Sequence, residues 1–468
     1  MAIDIRERSD FYNVVWIAFP EALGIMVITI QGVVDIFWIG RLGTIEVAAV
    51  ALCGNIITVL FGLAGFLQIG TIALVSRHLG ARDMASASDT LVHSLILGVI
   101  SGILLLVTIF ILSPAIIGFF GVEPEVAGNG VMYLRVLSIY MMFLFFTIPF
   151  MASFMSAGDT VTPLVINSVA VICGAILDPI FIFSPGQAVK IGSLVIHPGV
   201  FGWGVFGAGV AVTIAVATAV ALYLLTIPLG RFPIKAPRLK DFALKSKEFW
   251  LIIKIGVPFA VANISRPLST ILLLRIISSF GTGAVAGFGI SMRWYNVNWI
   301  LLGGMGTAAA VLVGQHLGAG SPQRASRVSE RLIEAAFVIQ FFSTALYWWL
   351  AATLIGVMDP NPQTVHAGMS FMRWVVLGFL ISSPGGLAMA AMNGAGDTMP
   401  GMTAGIVGNW LVKLPLAWVL SRLPMFRLDG VWLAMFISLI VEGAIGLVWY
   451  RIGSWTTKLK SNQFHLFN

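Results

Sequence analysis

Two aspartates carry the chemistry this sequence could do. Asp35 lies in ITIQGVVDIFWIGRLG (28–43), and Asp178 lies in LDPIFIF (177–183), directly before Pro179. Between Val14 and Ile39 there is no Lys or Arg, and the acids there are Glu21 and Asp35. At a helical rise of about 1.5 Å per residue, that run is long enough to cross a bilayer. A charge is costly in such a place, so an intramembrane acid points to ion or proton handling, with interhelical packing as the structural alternative. Pro179 removes a backbone donor and frees a carbonyl upstream, so polar ligands can gather near Asp178. Gln31 precedes Asp35 by one helical turn, on the same face, as a further ligand or as packing. Two carboxylates in one dry site cannot both ionise cheaply. The pair is therefore expected to share a proton or hold a sodium ion.

Composition says what must position these acids. Of 468 residues, 58% are hydrophobic and 10% are charged, with a mean hydropathy of +0.97. A soluble domain carries roughly 25% charged residues. The long apolar runs are continuous rather than alternating, which selects helices over barrel strands. Twelve spans are expected, at about 12–39, 48–75, 90–112, 131–155, 162–184, 201–228, 249–279, 284–314, 333–357, 369–393, 400–421 and 430–451. The N-terminal segment MAIDIRERSD leads into a full-length span and shows no cleavable-signal pattern. Cys53 and Cys173 sit in apolar runs and imply neither a disulfide framework nor a metal site.

Charge gives the orientation. The tails and the loops after even-numbered spans hold sixteen Lys or Arg residues, while the opposite loops and their borders hold five: Arg41, Lys190, Arg373, Arg422 and Arg427. The positive-inside rule then places both termini in the cytoplasm. The net charge of +7 follows from these loops, and no nucleic-acid partner is expected. Six of the sixteen cluster in 230–248 (Arg231, Lys235, Arg238, Lys240, Lys245 and Lys247), beside Pro233 and Pro237. This linker (230–248) separates a first half (1–229) from a second half with a short tail (249–468).

The halves are copies. Ile17-Ala18-Phe19-Pro20 is matched by Ile255-Gly256-Val257-Pro258, Gly43-Thr44 by Gly281-Thr282, and His78-Leu79-Gly80-Ala81 by His316-Leu317-Gly318-Ala319. Ala157-Gly158-Asp159-Thr160 returns as Ala395-Gly396-Asp397-Thr398, and all four pairs share the one offset that separates Ile17 from Ile255. Six spans per copy preserve orientation, so the repeats are parallel. The fold expected is an all-α polytopic membrane protein: twelve transmembrane helices as two six-helix lobes around a central cavity, where such transporters bind substrate. In the short repeated motif, Asp159 or Thr160 reads as the cap of a helix whose first turn admits Pro163, and Asp397, Thr398 and Pro400 repeat the design, so that Asp159 and Asp397 read as caps rather than ion ligands.

The segments VVDIFWIGRLG (33–43), LVSRHLGARD (74–83), SAGDTVTP (156–163), LDPIFIF (177–183), GAGVAV (207–212) and NGAGDTMP (393–400) occur in order along essentially the whole chain. Together they resemble the multidrug and toxic compound extrusion (MATE) family. The resemblance implies a secondary antiporter of the cell (inner) membrane, not an enzyme. Such a protein exports amphipathic organic compounds or drugs in exchange for protons or sodium ions by rocker-switch alternating access. It implies no cofactor beyond the coupling ion, a small-molecule substrate, a lipid bilayer as surroundings and a monomeric chain. Its cation-linked carboxylates fall on spans one and five, here Asp35 and Asp178.

This sequence departs from the family in three ways. Gly174 stands where relatives often carry an Asn, four residues before Asp178, and spans seven and ten hold no acid. Both features favour protons over sodium, which wants several oxygen ligands. The second half instead carries Arg266, Arg275, Arg293, Lys413 and Glu442 within its spans. Either Glu442 pairs with a base and Arg275 snorkels, or a positive wall faces the cavity and favours anionic or zwitterionic substrates. Arg266, Arg293, Trp294, Asn298, Lys413 and Glu442 are the cavity candidates, with Tyr295, Asn296 and Trp299 making span eight unusually polar and aromatic. An exporter or flippase of lipid-linked or anionic metabolites is the competing reading. No H-E-x-x-H or H-x-E pattern accompanies the six His residues, which argues against an enzyme.

Overall fold

The computed structural model describes residues 10–191, 194–234 and 244–457. The expected linker at 230–248 therefore lies partly outside the described residues, as do residues 1–9 and 458–468 of the tails. Among the described residues, twelve helices are long and apolar enough to cross a membrane. In the first lobe these are α1 (Asp10–Ile39), α2 (Thr44–Gly80), α3 (Met84–Gly118), α4 (Pro124–Ser156), α5 (Val161–Ile182) and α6 (Gly204–Thr226). In the second they are α7 (Ser246–Ser278), α8 (Thr282–Gly318), α9 (Pro322–Gly356), α10 (Pro362–Gly394), α11 (Met399–Leu420) and α12 (Arg427–Ile452).

Several helices outrun the apolar stretches that announce them. Helix α2, expected at 48–75, runs 37 residues because hydrogen bonding continues into the polar SRHLG turn. Its end is closed by the Ala81 N–H donating to the Arg77 carbonyl and the Arg82 N–H donating to the Leu79 carbonyl, and the next helix is capped by Asp83, whose side chain accepts from the Ser86 N–H. An unforeseen hairpin, β1 (Val189–Ile191) and β2 (Leu194–Ile196), follows α5 in antiparallel register with Val189 opposite Ile196. Helix α11 also departs from regularity. Residues Val407–Lys413 form a π-helical segment just before Pro415, which cannot donate to the preceding turn.

The repeated AGDT motif has a definite task in each copy. Gly158 (φ 79°) and Gly396 (φ 80°) take the left-handed conformation that ends α4 and α10. Asp159 then accepts from the Thr162 N–H (2.9 Å) and the Thr162 hydroxyl (2.7 Å), which caps α5 as the spacing predicts. The threonine does something the sequence does not suggest. Thr160 donates to the Trp16 carbonyl (3.2 Å), the group that Pro20 deprives of its helical partner. Thr398 donates to the Ile255 carbonyl (2.6 Å), one turn before Pro258. Each motif thus fastens the end of its lobe's fourth helix to the proline bend of that lobe's first helix.

The lobes meet chiefly through α1 on α8 and α2 on α7 and α8. These contacts obey the repeat. The glycine Gly256 lies against the Phe66 backbone, and Gly304 lies against the Ala18 backbone. Likewise Gly80 abuts the backbone of Gln315, and Gly318 that of Arg77. Every partner in these pairs is the repeat counterpart of another. Gln315 Nε2 adds a cross-lobe bond to the Ser156 carbonyl (2.5 Å). The seal forms at the end of the bundle that the charge bias assigns to the cytoplasm.

Candidate functional site

In the first lobe, α1 and α5 pack together and bring the two aspartates into contact. Asp178 is fully buried. Neither of its carboxylate oxygens has a hydrogen-bond donor, nor does Asp35 Oδ1, and no base lies within ion-pair distance among the described residues. Ionised carboxylates only accept, so these three oxygens have nothing to satisfy them; one shared proton would create a donor between the two acids. Tyr133 and Tyr140, seven residues apart on one face of α4, border the same acids. Sequence reasoning misses them, although their i, i+7 spacing on an apolar helix is the available signal.

Gln31 sits beside this pair. Its Nε2 fills the space over Gly174, 3.3 Å from where a Cβ would stand. The side chain that α5 lacks at Gly174 is thus replaced by an amide reaching across from α1. Gln31 also lines a cavity of about 260 Å³ within the first lobe, together with Glu21, Tyr140, Asn167 and Tyr223. At the inner end of that cavity the Glu21 carboxyl reaches Thr307 of α8, on the other lobe.

A larger cavity, about 730 Å³, lies between the lobes and is lined mainly by α2, α7, α8, α10, α11 and α12. Among its lining residues the charged ones are Arg266 and Glu442, which form an ion pair (Nη2 to Oε2, 2.7 Å). The pair belongs to a built network. Asn409 Nδ2 donates to Glu442 Oε1 (2.9 Å), and Lys413 Nζ donates to Asn409 Oδ1 (2.6 Å). Ser269 donates to the same Asn409 oxygen (3.2 Å), and Ser438 to Glu442 Oε1 (3.5 Å). The π-helical turn positions Asn409 and Lys413, and Gly408 within it admits Glu442, since a Cβ there would overlap that side chain. Arg266 also lies over the Trp299 ring, 4.9 Å from its centroid.

Four cavity candidates are placed elsewhere. Lys413 is buried behind Asn409 rather than in the cavity wall. Trp294 and Asn298, one turn apart, face α9: Tyr347 donates to the Trp294 carbonyl (3.2 Å) and Ser343 to Asn298 Oδ1 (2.6 Å). Arg293 is exposed and outside the lining. In this stretch α8 instead presents Met292, Tyr295, Asn296 and Trp299 to the cavity. Arg275, nine residues after Arg266, is exposed near the end of α7, so only one of those two bases reaches the cavity.

Fold and site define a two-lobed membrane transporter. The MatE family profile matches residues 20–180 and 258–419, and the two matches start at the same offset as the repeated motifs. The chain belongs to the MatE family, the multidrug and toxic compound extrusion transporters. It is 22% identical over 430 residues to a probable multidrug resistance protein NorM of Thermotoga maritima, covering 91% of this chain and 88% of that protein. An FAD transporter of Shewanella oneidensis is 26% identical over 423 residues, covering 86% of each. A solved structure described as an outward-facing conformation of a multidrug resistance MATE family transporter superposes with a TM-score of 0.87 at 22% identity, covering 98% of this chain and 99% of that one.

Proposed function

We propose that this protein is a secondary antiporter of the cell membrane, with both termini cytoplasmic, that exports amphipathic organic compounds in exchange for protons. The observation that carries the reading is the Asp35–Asp178 contact, which has no cationic partner and no hydrogen-bond donor among the described residues. A proton is the smallest ligand that satisfies such a pair, and its occupancy changes the charge of the lobe by one unit. The relatives named for multidrug resistance support export of drug-like compounds. The lobes, sealed at the cytoplasmic end by duplicated contacts, suit rocking of one against the other.

A second reading, transport of anionic metabolites, is favoured by one observation: the bases of the second lobe lie in and behind the cavity wall. The FAD transporter among the relatives is in keeping with it.

The test is dye efflux from proteoliposomes. A pH gradient imposed without sodium should drive transport, and Asp35→Asn and Asp178→Asn should abolish it while leaving the protein folded in the membrane. Normal efflux by both variants, or efflux that follows a sodium gradient at clamped pH and ignores a pH gradient, would refute the proposal.

A further inference from the structure

The charged groups of the large cavity are not equally accessible. Arg266 and Glu442 pair with each other, and Lys413 stands behind them with Asn409 as its hydrogen-bond partner. Asp35 and Asp178 lie outside the lining.

The hydrogen-bonding capacity is equally one-sided. Glu442 already accepts from Arg266, Asn409 and Ser438. Three of its roughly four acceptor sites are thereby taken, and its side chain is only 8% exposed, so little of that carboxylate is left for a cationic ligand. Arg266 is different. One of its five N–H groups serves Glu442, and its side chain remains 36% exposed at the cavity. An anion can therefore be added to the guanidinium without breaking any bond in the network.

The rest of the wall suits a flat ring. Phe379 packs against Tyr295 (centroids 5.2 Å apart) and Trp299 (4.9 Å), and both line the same space. The remaining polar lining is uncharged, a mixture of hydroxyls and amides, among the latter Asn55, Asn263, Asn296 and Asn393.

We infer that the large cavity is a site for planar aromatic compounds bearing a negatively charged group, recognised by Arg266. This deepens the export reading and rests on it, since it names the charge class of the compound carried. Glu442 then holds the guanidinium in place and does not serve as a cation receptor.

The experiment compares two dyes built on one ring system. Fluorescein is anionic and tetramethylrhodamine methyl ester is cationic. Fluorescence anisotropy is measured with the full chain in lipid nanodiscs, with empty nanodiscs subtracted. One unit charge about 7 Å away at an effective dielectric near 20 changes affinity roughly fiftyfold. A preference of about tenfold or more for fluorescein is therefore expected. Glu442→Gln should tighten fluorescein binding by about threefold or more, and Arg266→Gln should cut the preference about tenfold. The first variant keeps the inference testable if the second fails to fold. Tighter binding of the rhodamine by the native chain, or a ratio that neither substitution moves, overturns it. The measurement uses no gradient, so a chain that fails to exchange compounds for protons still shows the preference. A chain that exchanges them but prefers the cation refutes this inference alone.

Discussion

Replacing Gly80 or Gly318 by alanine should open the seal between the lobes. Each glycine faces a backbone of the opposite lobe, Gln315 for Gly80 and Arg77 for Gly318, and a Cβ would overlap the main-chain carbonyl. A carbonyl within a helix cannot swing aside as a side-chain tip can, so relief requires the lobes to separate. Inserting a methyl group into a packed contact costs about 1–3 kcal/mol. In the rocking mechanism proposed above, the contact exists only while the lobes are closed at this end, so the whole penalty falls on the sealed state. At about 1.4 kcal/mol per factor of ten, the sealed-to-unsealed ratio should drop roughly 5- to 150-fold. The gain in helix propensity on replacing glycine is common to both states and cancels. The double variant should cost less than the sum, because separation that accommodates one methyl also accommodates the other. Pulsed electron–electron resonance between spin labels at the exposed Arg82 and Gln323, with Cys53 and Cys173 replaced by alanine, reads the population directly. The distance distribution should gain a longer component in each variant. Gly128→Ala, where an added Cβ meets nothing within 4 Å, should leave it unchanged. Identical distributions for Gly80→Ala, Gly318→Ala and the native chain would refute the reasoning.

Two local devices give further predictions. Asp83→Ala removes the cap of α3 and should destabilise the protein by about 1 kcal/mol in thermal melts at pH 7. The Ser86 backbone N–H holds the Asp83 carboxyl below its ordinary value of 3.8, so the native contribution should persist above that value and vanish as pH falls through the lower folded-state value. The native and Asp83→Ala melts should therefore converge only under strongly acid conditions. Thr160→Val strands the Trp16 carbonyl freed by Pro20 and should cost about 1–3 kcal/mol, whereas Thr160→Ser should recover most of it in the same melts.

Much of this architecture is readable from the sequence because a bilayer leaves few options. Continuous apolar runs must be helices, and a constant offset between repeated motifs must reappear as symmetric contacts, as it does at Gly80 and Gly318. The meeting of Asp35 and Asp178 follows from their similar depth on helices that enter from the same side. What depends on rotation about a helix axis is harder to read. On α8, Trp294 and Asn298 are as eligible for the cavity as Tyr295 and Trp299, and only packing against α9 separates them. The π-helical turn is a compromise among Pro415, Gly408 and the bulk of Glu442, and none of these announces it alone. The threonine of the AGDT motif is invisible for another reason. Its partner lies 144 residues away and matters only because a proline left that carbonyl unpaired.

The reciprocal glycine contacts have a consequence for how the two halves can change. Gly80 on Gln315 and Gly318 on Arg77 are one contact made twice about an axis, the arrangement an isologous dimer of six-helix chains would use. In such a dimer any substitution appears on both sides, so a carboxylate pair and a basic cluster could not occupy corresponding helices. Joining the copies in one chain lifts that constraint while the shared joint still has to close. Here the joint has kept its symmetry, and the helices behind it have diverged: acids on α1 and α5 of one half, Arg266, Lys413 and Glu442 on α7, α11 and α12 of the other. A single symmetric joint thereby connects two chemically unlike lobes.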